Sequence, residues 1–102
     1  MTESPSFAEA LREIAGALRG HAPTHDRLNG AAVRIDQLGR RLHGLGFVRD
    51  REIADCFTAA VGELAEAHTF PEEERGKYVD RAAARIDAAA AHAEEGLLPA
   101  VP

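Results

Sequence analysis

Residues 24–45 read THDRLNGAAVRIDQLGRRLHGL. Within them Leu28, Ala31, Ile35, Leu38, Leu42 and Leu45 recur at steps of three, four, three, four and three. That is the period of one face of an α-helix, and the alternation that a half-buried strand would need is absent. A seven-residue repeat also suits helices that cross at shallow angles of about 20°. A helix is therefore expected over 24–45, with Gly44 and Gly46 closing it. Gly30 and Gly39 interrupt it, each at a cost of about 1 kcal/mol relative to alanine.

The same period extends in both directions. Upstream, Phe7, Leu11, Ile14 and Leu18 step by four, three and four. Ser6 with Glu9 forms a capping box at the start of that helix, and Gly20 and Pro23 end it. Downstream, Asp50 is a suitable N-cap for a helix reaching His68, with Ile53, Phe57, Ala60, Leu64 and Ala67 on its seam. A fourth helix is expected to open at Pro71, with Glu72, Glu73 and Glu74 at the positive end of its dipole. Its seam is Val79, Ala82, Ile86, Ala89 and Ala93, and Gly96 stops it, with Leu97 and Leu98 folding back over its end. Connections this short make consecutive helices antiparallel neighbours. The expected fold is all-α, an up-down four-helix bundle with a short first helix and longer second to fourth helices. The alternative is a pair of helical hairpins that completes itself only as a dimer. One domain spans residues 1–102, with 1–5 and 97–102 as frayed tails.

Composition explains why a dimer is considered. Hydrophobic residues make up 45% of the 102, but 21 of them are alanine. Leu, Ile, Val and Phe together number 22, close to the lower limit for a chain that buries its own core. Further burial against a second copy or another protein is expected. The N-terminus has no basic region followed by an apolar run, so no signal peptide is read there. The longest apolar run, residues 88–91, is far too short for a membrane span. Cys56 is the only cysteine, which excludes an intrachain disulfide and makes a cytoplasmic location the expectation. Eleven arginines to one lysine, with so much alanine, point to a GC-rich bacterial genome.

Charge is uneven. Residues 1–51 carry a net +2 and residues 52–102 a net −7. Arg27, Arg34 and Arg41 are seven apart and share one face of the second helix. Nucleic acid is a poor fit to that row, because Asp26 and Asp36 accompany it and no stacking aromatics do. The row is expected to meet the acidic fourth helix instead, within the bundle or across a dimer.

Motifs for chemistry are few. Ferritin-like di-iron bundles place Glu-x-x-His on an inner face, and no Glu-x-x-His occurs. His21 and His25 have ligand spacing, but Pro23 between them breaks the helix that would align them. His43 keeps one leucine of a phosphotransfer-domain context, lacks its lysine, and stands where glycines end the helix. Small secreted helical hairpins carry Trp-x-Gly and Tyr-x-x-x-Asp/Glu; this chain has no tryptophan, and Ala82 stands four after Tyr78. Beside Cys56, Asp55 and Glu52 oppose thiolate formation. No metal or other cofactor is expected.

The leading expectation is a non-enzymatic module for self-association or protein binding, using Arg27, Arg34 and Arg41 and the small-residue face of Ala82, Ala89 and Ala93. A rival is a regulatory or ligand-binding bundle in which His21, His25 and His43 gather around a pocket. A third is an enzyme without a sequence motif, which would need polar groups converging in a concave site.

Overall fold

In the computed structural model, which describes residues 7–42, 44 and 49–95, the seams become the core. Four helices form: α1 (Phe7–Gly20), α2 (His25–Leu42), α3 (Asp50–Ala67) and α4 (Gly76–Glu95). They run 14, 18, 18 and 20 residues. Each packs on its neighbours in a closed ring, α1 on α2, α2 on α3, α3 on α4, and α4 back on α1. The arrangement is an up-down four-helix bundle. Leu11, Ile14, Leu28, Ile35, Leu42, Ile53, Leu64 and Ile86 are its largest fully buried side chains. The capping box at Ser6, the end of the α2 seam at Leu45, and the two tails lie outside the described residues.

The interfaces are unequal. α4 packs most extensively, on α3 to one side and α1 to the other, whereas α2 touches both its neighbours more lightly. Alanine accounts for this. Ala82, Ala83, Ala89 and Ala90 are fully buried and Ala93 nearly so, so α4 holds little side chain between its backbone and its two neighbours. The seam expected from sequence lacked Ala83 and Ala90. Two flanking helices, rather than one, widen the buried stripe of α4 and take in both. These alanines, Ala82, Ala89 and Ala93 of the expected partner surface among them, are covered within the chain itself.

Three local expectations change. Asp50 is the first helical residue of α3, and Arg49 occupies the N-cap. Thr24 caps α2, its Oγ1 accepting from the Arg27 backbone N–H at 3.2 Å. The fourth helix does not open at Pro71. Pro71 is extended (φ −59°, ψ 152°), Glu72–Glu74 form a single 3₁₀ turn, and α4 begins at Gly76.

Arg75 is the reason for this break. It is only 6% exposed, and its side chain ties three segments together. Its Nε donates to the Ala67 and Phe70 carbonyls at 3.0 and 2.8 Å, and its Nη1 to the Pro23 carbonyl at 2.8 Å. Its Nη2 lies 3.1 Å from His25 Nε2. A cation at Ala67 stands at the C-terminal, negative end of the α3 dipole, so carbonyl dipoles meet a charge that no carboxylate pairs among the described residues. Phe70 stacks on Tyr78 beside it, their ring centres 4.9 Å apart.

Candidate functional site

α2 and α3 leave a trough between them because the positions flanking their seams are small. α2 contributes Ala32 and Gly39, and α3 contributes Ala54 and Thr58. Ile35, Leu42 and Phe57 form the floor, all buried, and the trough holds about 560 Å³. Phe57 is fixed from behind by an edge-to-face contact with Phe7, ring centres 6.0 Å apart at 89°. A methyl at Gly39 would meet the Phe57 ring at 3.5 Å, an ordinary contact. Thr58 donates its hydroxyl back to the Ala54 carbonyl at 3.1 Å, which satisfies its polar end locally.

The rim is mixed. Asp36 and Arg40 form an i,i+4 ion pair at 3.0 Å, and Val61 stands 37% exposed opposite them. Val33, 55% exposed, lies three residues before Asp36 and so beside it on the outer face of α2. Val33 and Val61 are the large exposed hydrophobic residues among those described. The trough can bury apolar side chains and match one charge of each sign.

The residues singled out from sequence fall elsewhere. Arg27, Arg34 and Arg41 run along the exposed side of α2 that faces α1, where Arg34 reaches Glu13 at 3.7 Å. Among the described residues no ion pair joins them to α4 within the chain, which corrects the intrachain half of that expectation. α4 is met instead by α1: Arg12 grips Glu94 with both terminal nitrogens, and Arg19 donates to Asp87 at 2.7 Å. Part of the charge difference between the two halves of the chain is therefore spent inside the bundle. Glu94 is held below the usual carboxylate range by its hydrogen bonds from Arg12.

The contact that forms among the described histidines is not one that the rival reading named. His43 lies outside the described residues, and no hydrogen bond or ring contact joins His21 to His25. His25 instead meets His68, their Nδ1 atoms 2.6 Å apart. The ring centres are 4.8 Å apart and the planes within 5°. The centre-to-centre separation exceeds the N–N distance by about two ring radii, so the imidazoles lie edge to edge in one plane, placed for one N–H···N hydrogen bond. Burial first, then His25 and Arg75, holds the His68 imidazole below its ordinary range.

Cys56 is half-buried, and burial is the main cause of its raised thiol, with Asp55 and Glu52 adding to it against Arg85. Among the described residues no group of three or more His, Cys, Asp or Glu is placed to hold a metal ion. Among the described residues no helix is long and apolar enough to cross a membrane.

Sequence reasoning missed His68 and Arg75. Counting back four from Val79 lands on Arg75, so the α4 period itself placed a cation on the inner face. His68 gave no such signal, since its partner is 43 residues away. No family model, curated protein or solved structure matches the chain.

Proposed function

We propose that this chain is a non-enzymatic helical module that self-associates, packing the α2/α3 faces of two copies together. The observation that carries this reading is the trough between α2 and α3, with small walls, an apolar floor and Val61 exposed on its rim. A two-fold interface must be complementary to itself. Asp36 and Arg40 supply one charge of each sign on this face, so Asp36 of one copy can face Arg40 of the other. The small number of large apolar residues in the chain supports the same reading, because a second copy adds burial that α2 does not find inside the bundle.

Sedimentation velocity over a wide concentration range tests it. The chain is expected to dimerise, and Val61→Asp is expected to weaken the dimer roughly tenfold or more while leaving helical content unchanged. A chain that stays monomeric at every concentration would sink the proposal.

A further inference from the structure

The cluster at the His25 end of the bundle has a property separate from the α2/α3 face. A guanidinium has donors only, so the Arg75 Nη2 contact at 3.1 Å makes His25 Nε2 an acceptor. A neutral His25 then carries its proton on Nδ1. That proton is donated to His68 Nδ1, 2.6 Å away, which must be bare, and His68 keeps its own proton on Nε2. One tautomer of each ring satisfies all these contacts. Both free lone pairs of the pair, His25 Nε2 and His68 Nδ1, are already in use as acceptors. An added proton can therefore enter only by displacing a hydrogen bond, either the one from Arg75 or the one between the rings.

We propose that His25, His68 and Arg75 form a proton-operated latch, which fastens the connection between α1 and α2 to the α3–α4 corner while both imidazoles are neutral and loosens it when either is protonated. The fastened segments are those that Arg75 reaches, through the carbonyls of Pro23, Ala67 and Phe70. Arg75 and the two rings bear on each other directly. The other charged and titratable groups nearest to them along the chain are His21 and Asp26 on the α1–α2 side, Glu66 in α3 and Glu72 in the 3₁₀ turn. None of the three carboxylates forms an ion pair with either ring. A second positive charge beside Arg75 thus goes uncompensated. The lowered range of His68 agrees with this geometry.

Imidazole nitrogen NMR of the unmodified chain tests the latch, because the two tautomers of a neutral histidine have distinct nitrogen shifts. At neutral pH, His25 is expected as the Nδ1–H form and His68 as the Nε2–H form, with a downfield resonance from the shared proton. As the pH falls, His68 is expected to titrate below the histidine of a short reference peptide. The shared-proton signal and the backbone amides of Thr24 and Arg75 are expected to change with that same midpoint, a response lost in His68→Gln. His25 found as the Nε2–H form would overturn the proposal. So would amides of Thr24 and Arg75 that do not follow His68.

Discussion

Arg75 is a charged side chain in a place where charge is costly, and its hydrogen bonds make the position tolerable. Removing the guanidinium takes the donor from the carbonyls of Pro23 and Phe70, while the Ala67 carbonyl keeps the Phe70 N–H. Arg75→Met is expected to lower the free energy of unfolding by about 2–4 kcal/mol in urea denaturation. Arg75→Lys should recover less than half of that, because an ammonium cannot fork to carbonyls on three segments. Gly62 offers the opposite case: it lies exposed in the interior of α3, and a Cβ there meets nothing within 4 Å. Gly62→Ala is expected to stabilise the chain by about 0.5–1 kcal/mol in the same experiment. His68 gives the pH dependence its sign. Its folded-state range lies below the unfolded one, so the unfolded chain binds the proton more tightly. The contribution is therefore complete above the ordinary histidine range and is lost as the pH falls through the lower, folded-state range. Denaturation midpoints measured across mildly acid pH should fall less steeply in His68→Gln than in the parent chain.

At the scale of elements, α4 is a spacer whose worth lies in being thin. Ala82 and Ala89 are fully buried between helices, whereas Ala84 is exposed on the same helix. Ala82→Leu and Ala89→Leu are each expected to cost about 1–3 kcal/mol by overpacking, with Ala84→Leu close to neutral as the control. Thermal melts of the three variants decide the matter. If the leucines instead changed association and left stability alone, the alanine stripe would be a partner surface after all. The helix faces were legible in the sequence because burial at a 3.6-residue period is a local property, read within a single segment. Leu28 to Leu42 and Ile53 to Ala67 came out as written in the chain. The start of α4 was not legible from Pro71 and its glutamates, because the break is set by the contacts of Arg75 with a segment 52 residues away. The α2/α3 trough was equally hidden. It arises from what Ala32, Gly39, Ala54 and Thr58 lack, and small residues only form a trough once two helices are set side by side.

For the whole molecule, the uneven packing matters more than the bundle class. α4 binds both α3 and α1 closely, and α2 is held more loosely and carries the exposed Val33 and the rim of the trough. Surface that is weakly used inside the chain is the surface a second copy can use at least cost to the fold. Ala32→Arg, placed on the wall of the trough, is expected to abolish the dimer in sedimentation at unchanged helical content, as Val61→Asp does on the rim. Neither substitution reaches the α1–α4 interface, so thermal stability measured at low protein concentration should change little.

The partnership of α1 with α4 also bears on how the chain reaches this state. Arg12 and Glu94 are 82 residues apart, and α1 finds only a light contact with α2 before α4 arrives. Contacts of long sequence separation slow folding, because a large loop must close before they contribute. During synthesis, Leu11 and Ile14 lack their α4 cover until α4 has been made. Of the four helices, α1 is made before the one that covers it most, and until α4 arrives much of its apolar face is open to chaperones or to neighbouring chains.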